Sequence, residues 1–193
     1  MFYNVERSRA ERAESEQSCR KDRRPFSCEQ LNQAAQDGLS HKERPPGPAE
    51  TVKRHPALVP LSEEHHHELA HAKRLLRAAG SGPEERLAVA SAYVDAFFTE
   101  TVGHFRREEE ILFPLYVRHA GSTPVLERIL REHMELHGLV RALRAEAAAG
   151  GIPPETLRMV GELLHDHVRV EERELFEEIE RIVPAGELEE VSL

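Results

Sequence analysis

From Pro56 onward, apolar residues recur at every third or fourth position, the spacing of a helix with one buried face, and no stretch alternates as a half-buried strand would. Four helices are predicted. The first begins near Ser62 as N-cap, with Glu63 and Glu64 in its first turn. It carries Leu69, Ala72, Leu76 and Ala79 on one face and ends before Gly80-Ser81-Gly82. The second starts at Pro83 and runs through Phe97 and His104 to about Val117, with Pro114 expected to kink it or end it early. The third spans Pro124 to Gly150-Gly151, and the fourth follows Pro153-Pro154 to about Ile182, stopped by Pro184. Short Gly/Pro/Ser connections then imply an all-α, antiparallel up-down-up-down four-helix bundle.

The pattern changes upstream. Residues 1–55 are rich in Arg, Glu, Gln and Ser, are broken at Pro45-Pro46-Gly47-Pro48, and hold too few apolar residues to offset the entropy of ordering. The expected organisation is a disordered polar arm at 1–55, the bundle at 56–185 and a C-terminal tail at 186–193.

Composition narrows the class. A 193-residue chain that is 39% hydrophobic and 32% charged is expected to fold around one core. Its net charge of −9 argues against nucleic acid as main partner, and the basic run Arg20, Lys21, Arg23 and Arg24 reads as solvated tail. No window has the apolar length of a membrane span, and the N-terminus lacks the apolar core of a secretory signal, so the expected compartment is the cytoplasm. Cys19 and Cys28 lack zinc-knuckle spacing and are read as reduced and incidental. A protein partner, if there is one, would engage the N-terminal arm.

The chemistry lies in a repeat. His104 to Phe113 (HFRREEEILF) and His167 to Phe176 (HVRVEERELF) share His, Arg, a Glu-Glu pair, Leu and Phe at identical offsets. Each contains His-x-x-x-Glu, which puts an imidazole and a carboxylate on one helix face. Between them lies His133-x-x-x-His137, and ahead of them the run His65-His66-His67. On a helical wheel His65 falls mid-stripe with Leu69, Ala72 and Leu76, while His66 shares a face with Lys73 and Arg74. His66-His-Glu-Leu nevertheless resembles His133-Met-Glu-Leu; the wheel favours His65. Glu108 and Glu171 sit on apolar stripes, and a buried carboxylate is costly unless it is paired or binds a metal. Glu109, Glu110, Glu172 and Glu174 fall toward the flanks and are read as solvated surface charge.

With these motifs in place, the bundle region resembles the hemerythrin-like, or HHE cation-binding, family. The resemblance implies a non-haem centre of two iron ions, oxo- or hydroxo-bridged, held by His65, His104, Glu108, His133, His137, His167 and Glu171, with both glutamates bridging. His133, His137 and His167 on one iron would fill it, leaving an open position on the iron held by His65 and His104, where dioxygen, peroxide or nitric oxide could bind. The oxygen carriers of the family use His-x4-Asp in the fourth helix, whereas this chain has Glu171 at the closer spacing. That leans toward sensing or iron handling, with peroxide or nitric oxide reduction as the enzymatic alternative. Two rivals remain: a metal-free interaction bundle, and a ferritin-like site using Glu64-x-x-His67 and Glu162-x-x-His165. The histidines of those two motifs point nearly opposite to His65 and His167.

Overall fold

The computed structural model describes residues 54–191 and 193. Of the disordered arm expected at 1–55, residues 1–53 lie outside the described residues, while Arg54 and His55 bond to Glu172 and Glu180 of the last long helix. Every regular element among the described residues is helical. A single 3-10 turn (Pro56–Leu58) leads into α1 (Val59–Ala78), so the first helix starts earlier than Ser62, which lies inside it. Pro60 opens the helix instead: its missing N–H falls among the first-turn donors that have no partner within the helix.

Helix α2 is one continuous rod made of Pro83–Ala96, a π-helical stretch at Phe97–Thr101, Val102–Arg107, a second π stretch at Glu108–Leu112, and Phe113–Ala120. Pro114 neither ends nor sharply breaks it. The wider turn just before it, in which Phe113 N–H bonds to Glu108 C=O, makes room for a ring that would crowd a regular α-helical carbonyl. Gly121, at φ 71°, stops the rod. Helix α3 (Pro124–Ala148) is capped by Thr123, whose hydroxyl accepts from Leu126 N–H. Helix α4 combines Pro154–Val170, a π stretch at Glu171–Leu175 and Phe176–Ile182. A short α5 (Ala185–Glu189) follows in the segment expected as a tail, with Leu188 buried.

Residue pairings show how the rods lie. His65 meets Glu172, and Leu76 meets Gly161, so α1 and α4 run antiparallel. Glu64 meets His104 and His71 meets Tyr93 across α1 and α2. Phe105 stacks on His133 and Phe97 faces His137 across α2 and α3, while Glu132 meets His167 and Glu146 meets Thr156 across α3 and α4. Helices α1 and α4 approach closely at Gly161, where an added Cβ would lie 2.9 Å from Leu76 Cγ and 3.1 Å from the Ala72 carbonyl. Only glycine lets α1 settle this far onto α4.

The interior is two apolar blocks with a polar layer between them. One block gathers Ala72, Leu75, Tyr93, Phe97, Phe105, Leu136, Val140 and Leu164. The other gathers Leu58, Leu61, Leu112, Phe113, Tyr116, Ile129, Leu175 and Phe176. Each of α1 to α4 passes from one block to the other, and at the crossing each contributes a buried histidine: His65, His104, His133 and His167. Helices α2 and α4 add Glu108 and Glu171, both fully buried.

Candidate metal centre

The repeat pays off in backbone as well as side chains. Glu108 and Glu171 each open a π-helical stretch, and the carbonyl of each accepts from the phenylalanine five residues on. Such stretches insert an extra residue into the turn, which slows the rotation of side chains about the axis just where ligands must crowd inward.

Six side chains converge. His65, His104, Glu108 and Glu171 form one group of donor atoms lying within 4.8 Å of one another, and His133, His167 and Glu171 form a second. His65 Nε2 and His104 Nε2 are 3.0 Å apart. The two carboxylates span both groups. Glu108 places Oε1 3.2 Å from His104 Nε2 and Oε2 3.6 Å from His133 Nε2. Glu171 places Oε2 3.1 Å from His65 Nε2 and 3.3 Å from His167 Nε2, with Oε1 3.8 Å from His133 Nε2. All four carboxylate oxygens, with His133 Nε2 and His167 Nε2, are buried without a hydrogen-bond partner. Buried polar atoms are normally satisfied, so six such atoms turned toward one point form a cation cradle.

The opposite nitrogens are all engaged. His65 Nδ1–H donates to Glu172 (2.6 Å), His104 Nδ1–H to Glu64 (2.8 Å), His133 Nδ1–H to Glu109 (2.7 Å) and His167 Nδ1–H to Glu132 (3.2 Å). Four carboxylates therefore fix four imidazoles with Nε2 inward, the arrangement that orients metal-binding histidines and makes them more basic. Salt bridges extend this ring: Arg54 holds Glu172, Arg107 holds Glu64 and Arg128 holds Glu132.

Charges follow from these contacts. Burial opposes a charged His65, but the nearby carboxylates of Glu171 and Glu172 outweigh it and push the ring up to about 10. His133 rises to about 9 against the same opposition, through Glu109 and Glu171. Burial also opposes ionisation of Glu172, yet His65, with Ser62 and Arg54, brings it down to about 2. Glu171 is held well below the usual carboxylate range despite complete burial, by His167, His133 and His65. Glu68 goes the other way: burial pushes it up more than the neighbouring histidines pull it down. The centre is thus a set of anions and imidazoles whose protons a cation would displace.

The sequence expectations fare unevenly. His65, not His66, points inward, and His66 is exposed. His137, the seventh expected residue, is not among the converging side chains: it is exposed, with its ring edge-on to Phe97 at 5.1 Å between centroids. The Phe105 ring stacks on His133 at 3.7 Å and stands against His137 as well, so the turn that separates the two histidines is filled with aromatic carbon. Glu109 and Glu172, read as solvated charge, each accept from a histidine; Glu109 stays exposed while doing so and Glu172 is partly buried. Glu110 and Glu174 remain exposed, Glu110 paired with Arg106. Sequence reasoning missed the bonds of Glu64 and Glu132 to histidines and the burial of Glu68. A signal existed for the first two, in the dipeptides Glu64-His65 and Glu132-His133.

No helix among the described residues is long and apolar enough to cross a membrane. Comparison with curated proteins and with solved structures returned no match. The sequence model of the hemerythrin HHE cation binding domain matches residues 58–179, the stretch from the end of the opening 3-10 turn to the last turns of α4 that holds all six converging side chains. A cation cradle of this composition on these helices is what that description leads one to expect, and the chain belongs to the hemerythrin HHE cation-binding domain family.

Proposed function

We propose that the protein holds two non-haem iron ions in the buried centre of an up-down-up-down bundle and offers them to a small oxidant. The observation that carries this reading is the set of four carboxylate oxygens of Glu108 and Glu171, buried, unpartnered and shared between the two histidine pairs. His65 and His104 would serve one ion, His133 and His167 the other, and both glutamates would bridge. Imidazole and carboxylate together suit iron. With His137 outside the set, the two ions would have equal protein donors, and neither would be filled by protein alone.

When bound, iron would supply an electron-rich site for dioxygen, peroxide or nitric oxide. The protein's own part is to hold Nε2 of each ring inward through an outer carboxylate, to keep bulk water away with the two apolar blocks, and to offset part of the metal charge with Glu108 and Glu171. Sensing or iron handling accords with these residues, and peroxide or nitric oxide reduction would use the same centre. A metal-free interaction bundle would have no use for these buried carboxylates, which cost stability unless they are matched.

The test is direct. The full chain purified without oxygen should carry about two irons, as di-iron bundle proteins do. Exposure to air should develop a near-ultraviolet charge-transfer band. A colourless chain that takes up no iron from ferrous salts under the same conditions would overturn the reading.

A further inference from the structure

Beside the centre, between α1 and α2, lies a cavity of about 440 Å³ whose wall includes Glu64, His67, Glu68, His71, Glu100 and His104. Four of these come from one stripe of α1. Glu64-x-x-His67 and Glu68-x-x-His71 repeat a carboxylate-imidazole pair at i and i+3, and the two pairs are offset by one turn, so all four side chains share a face. Glu68 is the inner member: only 5% exposed, it lines the cavity with neither carboxylate oxygen hydrogen-bonded. Nothing in the packing requires this. On α3 the residue at the same offset from its inward histidine is Leu136, fully buried and apolar. A bare carboxylate kept at a position where its counterpart is leucine needs a partner that the chain does not supply.

We propose that this cavity is a second cation site, holding a divalent cation on Glu68, His71, His67 and Glu100, and that it is the port through which the buried centre is loaded. Three carboxylates in the wall favour a cation over an anion, and the wall's one guanidinium, Arg107, is engaged by Glu64. Among the described residues these donors do not converge as closely as those of the centre do. A cation there keeps part of its water shell and is held weakly, as a transit site requires. His104 belongs to both the cavity wall and the centre, so a cation released by Glu68 meets a ligand of the inner site next. The second half of the proposal rests on the iron reading of the centre; the first does not.

The experiment separates the two with the full-length chain. In a Glu108→Ala/Glu171→Ala background, which disables the inner centre, Co²⁺ is titrated by equilibrium dialysis. Binding should persist, and adding Glu68→Gln/His71→Ala should weaken it on the order of tenfold or more, the scale of losing metal-site partners. With the inner centre intact, the same pair of changes should slow anaerobic Fe²⁺ uptake about tenfold while leaving the final iron content and the helical circular dichroism unchanged. Absence of Co²⁺ binding in the background, Co²⁺ binding indifferent to Glu68→Gln/His71→Ala, or Fe²⁺ uptake at the wild-type rate would each overturn the proposal. A wild-type chain that never takes up iron overturns the reading of the centre instead, and the Co²⁺ titration still decides the cavity.

Discussion

The α1/α2 half and the α3/α4 half of this molecule use one device twice. An odd helix supplies Glu-His (Glu64-His65, Glu132-His133), and the even helix after it supplies His-x-x-x-Glu-Glu (His104, Glu108, Glu109; His167, Glu171, Glu172). Within each half the glutamate of the odd helix steadies the histidine of the even one: Glu64 with His104, Glu132 with His167. Between halves the second glutamate of the pair reaches across, Glu109 to His133 and Glu172 to His65. The halves part company at Glu68 against Leu136 and at Arg107 against Val170. One half is closed with hydrocarbon where the other is lined with acid and opens on a cavity. What repeats is a set of imidazoles and carboxylates grouped as a cation would need, and what differs is the wall beside them.

The strongest way to break this symmetry is to remove a shared ligand. Glu171→Ala and Glu108→Ala should each reduce bound iron to a small fraction of wild type, because each deletes a donor from both halves. A variant retaining full iron would show that its carboxylate does not bridge. Iron content by metal analysis, with the charge-transfer band, reads this out.

The outer carboxylates come next. Glu172→Ala, Glu109→Ala, Glu64→Ala and Glu132→Ala should keep the centre but lower iron affinity by roughly 10- to 100-fold, the usual effect of losing an acceptor behind a metal-bound histidine. Competition with a chelator ranks them. Equal losses within the pairs Glu64/Glu132 and Glu109/Glu172 would confirm the two-fold relation, and losses confined to one half would break it.

Proton linkage gives the metal-free chain an opposite response to pH from that of the loaded one. His65 and His133 are raised, so their contribution to stability is complete below the ordinary histidine range and is lost as pH climbs through about 9 and then about 10. Glu172 is lowered, so its share is lost only as pH falls from the ordinary carboxylate range through about 2. The melting temperature of chelator-treated protein should therefore fall on moving from neutral to strongly alkaline buffer. Iron affinity should rise over the lower part of that range, since protons and metal compete for the same nitrogens. A melting temperature that climbs with pH would contradict these ion pairs.

Packing effects are smaller. Gly161→Ala forces a methyl against Leu76 and the Ala72 carbonyl and should cost about 1–3 kcal/mol in chemical denaturation, with α1 levered away from α4. The smallest change expected is at His137: His137→Ala should leave iron content at the wild-type level. Loss of iron in that variant would restore the seven-residue set that spacing alone suggests.

Periodicity, repeat and turn residues were enough to place four helices, to select His65 over His66 and to mark Glu108 and Glu171 as inward, because these depend on rotation about a single helix axis. Where that rotation is irregular, the reading slips. Ser62 looked like a cap because serine often is one, but the preceding Pro60 already opens the helix. Glu109 and Glu172 looked like free surface charge on a regular wheel, yet each lies in a π-helical stretch that begins one residue earlier and reaches a histidine of another helix.

The types of donor and their spacing along each helix belong to the sequence by itself, since chemistry and local geometry are written residue by residue. Which carboxylate steadies which imidazole, the placing of His137 against the rings of Phe97 and Phe105, and the buried isolation of Glu68 were decided only by tertiary structure. Each depends on the axial register and rotation of one helix against another. That register is set by the summed packing of both apolar blocks and by the close seat of α1 on Gly161, and no single helix carries it in its own pattern.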